Sequence, residues 1–295
     1  MKLITAVILL FCAKISSCLH CNCELGVPRN YSGYFNEPTT LRRPWSVIIL
    51  QFGYERCYGV IVSNTHILTT EDCIIPYKGK PANALEDYTY LPRNFWIPYT
   101  EVKFNSKLHI KVKTVFIHPD LNSFQSKIAI VELKEAIRLD EYKQAAFLPR
   151  EAVNVYGART TVGLSHDVNG GFLTTEKINA FVWSKEICSL FNNGDEDSLM
   201  CIDIDDDCSG CNLCPGILNQ ALFHVKNDVM ELLALPRYCK TVSFNESTYM
   251  EEIRTVHVYF PIGNFIPWIQ HILSKRCGCS SVTSPIIEGK DAIVF

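Results

Sequence analysis

An all-β domain closed by one C-terminal α-helix is what this sequence predicts, and three observations predict it. Short β-branched and aromatic runs bounded by turn residues recur along the chain: Trp45 to Phe52, Gly59 to Ser63, Lys111 to His118, Ile128 to Leu133, Thr160 to Leu164 and Gly216 to His224. Long amphipathic helical patterns are scarce between them, which argues for a sandwich or barrel. One late segment differs, because Asn264 to Ser274 spaces Phe265, Trp268, Ile269 and Ile272 at helical intervals and so predicts a helix packed on the β body.

The chain opens with Met1 and Lys2, runs through apolar residues from Leu3 to Cys12, and reaches the small cluster Ser16, Ser17, Cys18. That is the layout of a secretory signal peptide over residues 1–18, and it is too short to span a bilayer, which takes roughly 20 apolar residues. The remainder is expected to work outside the cell. Of 14 cysteines, two leave with the signal peptide, and an even number remains to pair in an oxidising compartment. The sequons at Asn30 (Asn30-Tyr31-Ser32) and Asn245 (Asn245-Glu246-Ser247) fit the same route as glycosylation sites.

With 47% hydrophobic and 20% charged residues, the chain can fill one large domain or two packed subdomains. The net charge of -3 offers no basic field for nucleic acid and no polybasic signal for a membrane surface, and no second apolar run approaches spanning length.

Taken in order, the β runs carry particular motifs. Arg43-Pro44-Trp45-Ser46-Val47-Ile48 leads into Cys57-Tyr58-Gly59-Val60-Ile61-Val62-Ser63 and then Ile67-Leu68-Thr69-Thr70-Glu71-Asp72-Cys73. Ile117-His118-Pro119-Asp120 and Ile128-Ala129-Ile130-Val131-Glu132-Leu133 follow. Later come Cys188, Cys201, Cys208-Ser209-Gly210-Cys211-Asn212-Leu213-Cys214-Pro215, Tyr238-Cys239, Val258-Tyr259 and Asn264-Phe265-Ile266-Pro267-Trp268-Ile269. In this order the motifs resemble the chymotrypsin and trypsin serine proteases over about residues 41 to 275. The resemblance implies a chymotrypsin-like double six-stranded β-barrel with a C-terminal α-helix. Barrel one would span about 41–150 and barrel two about 151–275, between a cysteine-containing segment at 19–40 and a tail at 276–295. It also implies three disulfides, Cys57–Cys73, Cys188–Cys201 and Cys208–Cys239, each restricting the unfolded chain by about 3 kcal/mol.

The same resemblance implies that the chemistry is missing. Peptide cleavage of this type needs a hydroxyl nucleophile, a histidine to take its proton and a carboxylate to orient the histidine. At the family's histidine the chain has Asp72, and a carboxylate is too weak a base to deprotonate an alcohol efficiently. At the family's aspartate it has Lys127, a cation that repels an imidazolium. At the family's serine, fixed between Gly210 and Pro215, it has Asn212, whose amide is no nucleophile. The activation switch is also altered: the aspartate before the serine is Cys211, and the candidate new amino terminus after Arg29 is Asn30-Tyr31-Ser32-Gly33. Cys211 and Cys214 are the thiols through which an active-enzyme reading would run, but no histidine stands in the matching place to activate them.

Family spacing places Asp206 at the base of the primary specificity pocket, and puts His257 and Pro236 where trypsin-like members keep glycine for the substrate side chain. The pocket is expected to be plugged from within, with the His257 imidazole satisfying the Asp206 carboxylate. Two further patches receive plainer readings. Cys208, Cys211 and Cys214 have zinc-like spacing but are expected to form disulfides, and Asp203, Asp205, Asp206 and Asp207 lack the pattern of a calcium loop. No metal and no cofactor is expected. Cys21, Cys23, Cys277 and Cys279 flank the barrel region, and they pair either with each other or with Cys211 and Cys214. The function expected is that of a secreted, non-catalytic serine protease homologue that binds an extracellular protein as a decoy, a protease cofactor or an adhesion factor. The alternatives are a serine-type hydrolase with unusual catalytic residues and a secreted structural or carbohydrate-binding protein.

Overall fold

The computed structural model describes residues 23–27, 44–75, 96–104, 107–119, 128–140, 143–168, 172–191, 199–204, 221–227, 229–245, 251–277 and 293–294. Six strands form the first barrel: β1 (Ser46–Gln51), β2 (Tyr54–Ile61), β3 (His66–Thr70), β4 (Thr100–Lys103), β5 (His109–Ile117) and β6 (Ile128–Leu133). They pair antiparallel around the ring in the order β1-β2-β3-β6-β5-β4, and β4 closes back onto β1. The second barrel holds β7 (Ala158–Val168), β8 (Phe172–Val182), β9 (Met200–Ile204), β10 (Leu222–Lys226), β11 (Val229–Asn245) and β12 (Glu251–Pro261). Its ring runs β7-β8-β9-β12-β11-β10, so both barrels wind the same way. The all-β double barrel expected from the sequence is therefore present.

Strand periodicity sorts the side chains between two destinations, because successive residues of a strand point to opposite faces. In β6, Ala129 and Val131 enter the core of barrel one, whereas Ile128 and Ile130 join the cluster between the barrels. Likewise Ile202, Leu222 and Tyr259 fill barrel two, while their neighbours Cys201, Phe223, Val258 and Phe260 face the interface. A strand buried on both faces reads as an unbroken apolar run, as Ile128 to Leu133 does. Burial of each such Ile or Val contributes about 1.5–3 kcal/mol.

Three helices are described: α1 (Glu71–Ile74), α2 (Lys185–Phe191) and α3 (Ile266–Cys277). The predicted C-terminal helix is α3, preceded by a 3-10 turn at Gly263–Phe265 and running three residues beyond Ser274. Trp268, Ile269, Ile272 and Leu273 of α3 pack into the inter-barrel cluster. The extra residues are anchored. Arg276 donates from Nε (3.1 Å) and Nη2 (2.8 Å) to Glu132 Oε2, and its guanidinium lies 4.9 Å from the Phe116 ring. Cys277 is disulfide-bonded to Cys23, which resolves one of the pairings the sequence left open.

Cys23–Val27 forms an arm laid across barrel one. Glu24 N donates to Asn64 Oδ1 (3.1 Å), Asn64 N donates to Glu24 O (3.0 Å), and Leu25 bridges to Ser63. A Cβ at Gly26 would overlap the Ala146 carbonyl oxygen, so glycine is what allows the arm to lie flat. Strand β13 (Ile293–Val294) adds to β5 from the C-terminal end.

One strand end departs from expectation. The run from Trp45 to Phe52 predicts Phe52 in the first strand, but Phe52 occupies a two-residue turn with Gly53 at φ 52° and 82°. Two left-handed residues match the twist of a tight hairpin, and a phenylalanine there is uncommon. Its ring stacks on Tyr99 at 5.2 Å. No helix among the described residues is long and apolar enough to cross a membrane.

Candidate functional site: the cleft between the barrels

A cleft opens where the two barrels meet. Trp45, Gly59 and Val60 line it from barrel one and Phe260 from barrel two, all continuous with the inter-barrel cluster except the glycine. Gly59 is required there, because a Cβ would collide with the Ile67 side chain. One wall is built by Arg56, Cys57, Tyr58, Thr69, Thr70, Asp72 and Cys73, the other by Ala221, Leu235, Pro236 and Arg237.

The barrel-one wall is braced locally. The Cys57–Cys73 disulfide ties β2 to α1, as the sequence implied, and Thr69 Oγ1 donates to the Tyr58 carbonyl at 3.0 Å. Thr70 ends β3 in an extended conformation and starts α1, and its hydroxyl donates to Cys73 Sγ at 3.3 Å. The turn leaves Glu71 buried and Asp72 exposed on the cleft. Asp72, Cys57, Cys73 and Pro236 are thus brought together from distant parts of the chain.

His257 is placed differently. It is buried on β12, cross-strand from Cys239 and Ile202, and among the described residues it does not line the cleft. Lys127, Asp206, Cys208, Cys211, Asn212, Cys214 and Asn30 lie outside the described residues, so the pairing of His257 with Asp206 does too. Cys188–Cys201 is formed, and Cys239 is disulfide-bonded. Asn245 is the last residue of β11.

None of the described residues that line the cleft is a histidine. The histidines that are described have other settings. His118 meets Phe265 and Trp268 edge-on, at 4.8 and 5.3 Å. His224 lies on β10, where burial lowers its pKa. His66 begins β3, four residues before the cleft-lining Thr70, or roughly 13 Å along an extended strand. Burial pushes the His66 pKa down to about 4, against the opposing pull of Glu132. A neutral, enclosed imidazole so far from the cleft cannot take a proton there.

The description of one protein family, "Trypsin", matches residues 34–216, which is more than half of the chain. The chain belongs to the trypsin family. Bovine chymotrypsin-C is 32% identical over 98 residues, and that match spans about a third of each protein's length. Among solved structures, kallikrein-related peptidase 10 superposes with a TM-score of 0.52 at 15% identity, covering 80% of this chain and 98% of that one. The structural likeness establishes the chymotrypsin-like double-barrel fold. Of the sequence motifs, those around Trp45, from Cys57 to Val60 and from Thr69 to Cys73 line this cleft.

Sequence reasoning did not find Arg56 and Arg237 as cleft residues, nor Glu132 as the anchor of α3. The alternation of β6 carried a signal for Glu132. It shares the face of Ile128 and Ile130, so a carboxylate there had to meet a cation from whatever packs on that face.

Proposed function

We propose that this protein is a secreted, non-catalytic member of the trypsin family that acts by binding another extracellular protein. The observation that carries the reading is the cleft wall at α1, which carries an exposed Asp72 and, among the described lining residues, no histidine. The motif resemblance aligns Asp72 with the family's histidine. Lys127 and Asn212, at the family's other two catalytic positions, support it from the sequence. Without a base, an orienting carboxylate and a hydroxyl nucleophile, the acyl-transfer route has none of its three participants. What is retained is the scaffold: both barrels, the family disulfides Cys57–Cys73 and Cys188–Cys201, and a cleft with two arginines on its walls. Secretion follows from the signal-peptide layout, the cysteine count and the two sequons.

The test is affinity capture from extracellular fluid with the mature protein as bait, repeated with an Arg56→Glu, Arg237→Glu variant of the same fold. Recovery of one protein that the variant fails to retain is expected. Peptide turnover by the wild type, with no protein retained, contradicts the proposal.

A further inference from the structure

The start of β3, the end of β6 and the last turn of α3 converge on a buried cluster away from the cleft. His66 and Glu132 are cross-strand partners there. His66 Nδ1 lies 4.0 Å from Cys277 Sγ and 2.9 Å from both Ser63 Oγ and Thr65 Oγ1. Thr65 Oγ1 is in turn 3.4 Å from Cys23 Sγ. One donor atom each from Cys23, His66 and Cys277 falls within 4.8 Å of the other two. His66 is 1% exposed and Cys277 is fully buried, while Cys23 is half-buried. His66 Nε2 is buried with no hydrogen-bond partner among the described residues.

We propose that reduction of the Cys23–Cys277 disulfide converts this cluster into a Cys2His zinc site, with Cys23 Sγ, Cys277 Sγ and His66 Nδ1 as protein ligands. The reductant is a small dithiol. It is oxidised to its own disulfide and delivers two electrons and two protons to the two sulfurs. Zinc then displaces both thiol protons, leaving two Zn–S bonds and one Zn–N bond. Two sulfurs and an imidazole suit zinc rather than calcium or magnesium, which take oxygen ligands. With bonds of about 2.3 Å to sulfur and about 2.0 Å to nitrogen, ligand atoms of a tetrahedral site stand roughly 3.5–3.8 Å apart. The cluster needs only small movements to reach that spacing once the S–S bond opens. A dication with two thiolates and a neutral imidazole also sums to no net charge, which lowers the cost of burial. Thr65 Oγ1 or a water supplies the fourth position. The arm Cys23–Val27 therefore stays fastened to α3 in both redox states, by a disulfide in one and by a metal in the other.

The test uses the full mature chain, reduced with dithiothreitol, freed of reductant without oxygen, and titrated with Co2+ as a coloured probe before displacement by Zn2+. Alkylation mapping establishes that Cys23 and Cys277 are thiols. The expected result is a tetrahedral, thiolate-ligated cobalt spectrum in reduced wild type that is absent from the oxidised protein. It should be lost in Cys277→Ser, and in His66→Ala half-saturation should need at least about tenfold more cobalt. No such spectrum in reduced wild type, or the same spectrum and affinity in the variants, overturns the proposal. Should Cys277→Ser not fold, the comparison of wild type with His66→Ala and His66→Asn decides alone.

Discussion

The proposed reading turns first on one residue, Asp72. It sits on the cleft wall at the first turn of α1, held by Cys57–Cys73 beside it. On the proposed non-catalytic reading, a histidine placed there has neither nucleophile nor orienting carboxylate to work with. Asp72→His is therefore expected to leave hydrolysis of a chromogenic ester at the buffer rate, and a rise above tenfold would show that a nucleophile is present after all. His66 makes a different prediction. Its folded pKa of about 4 lies below the unfolded value of 6.5, so between those values the unfolded chain binds the extra proton. The resulting loss of stability begins as pH falls through 6.5 and is complete below 4. From the same shift, wild type should lose about 2 kcal/mol more between pH 7 and pH 4.5 than His66→Gln, measured by urea unfolding. Equal pH slopes in the two proteins would contradict the assignment. Flanking motifs number Asp72 and Pro236, and both line the cleft. The His66 cluster was not legible in the sequence, because it depends on which residue of β6 faces β3 and on where α3 ends.

At the scale of elements, the strands were legible where their side chains alternate or run apolar, and α3 where four apolar residues keep helical spacing. The end of β1 was not legible, since a phenylalanine in a left-handed turn breaks the residue preferences that mark turns. The last turn of α3 was missed for another reason: tertiary partners, not propensity, hold Arg276 and Cys277. Glu132 receives Arg276 on one side and Lys113 at 2.8 Å on the other while its side chain is only 11% exposed. Glu132→Gln should weaken both contacts and lower stability by roughly 2 kcal/mol, read from the shift in denaturant midpoint. A change within 0.3 kcal/mol would mean that α3 is held by its apolar face alone. The arm gives a second check. Gly26→Ala cannot be accommodated against Ala146 without moving the arm, so faster proteolysis between Cys23 and Pro44 is expected, detected by intact mass under reducing conditions.

Across the whole molecule, order carried the reading. Short motifs, each weak alone, fall in the sequence that two barrels of the same winding require, and the rings β1-β2-β3-β6-β5-β4 and β7-β8-β9-β12-β11-β10 realise it. Cysteine pairing was legible only where a motif fixed the partner, as for Cys57–Cys73 and Cys188–Cys201. Cys23–Cys277 closes a separation of 254 residues, which no local pattern marks. In the chain-entropy treatment such a link contributes up to about 5 kcal/mol. The central claim, that a trypsin-family scaffold persists here without its chemistry, is tested most directly by labelling and turnover together. Mature protein, untreated and after exposure to trypsin, is incubated with a fluorophosphonate probe and with chromogenic peptide and ester substrates, beside an Asn212→Ala variant. No label and no turnover above buffer in any sample is the result expected. Turnover by the wild type that vanishes in Asn212→Ala would contradict it.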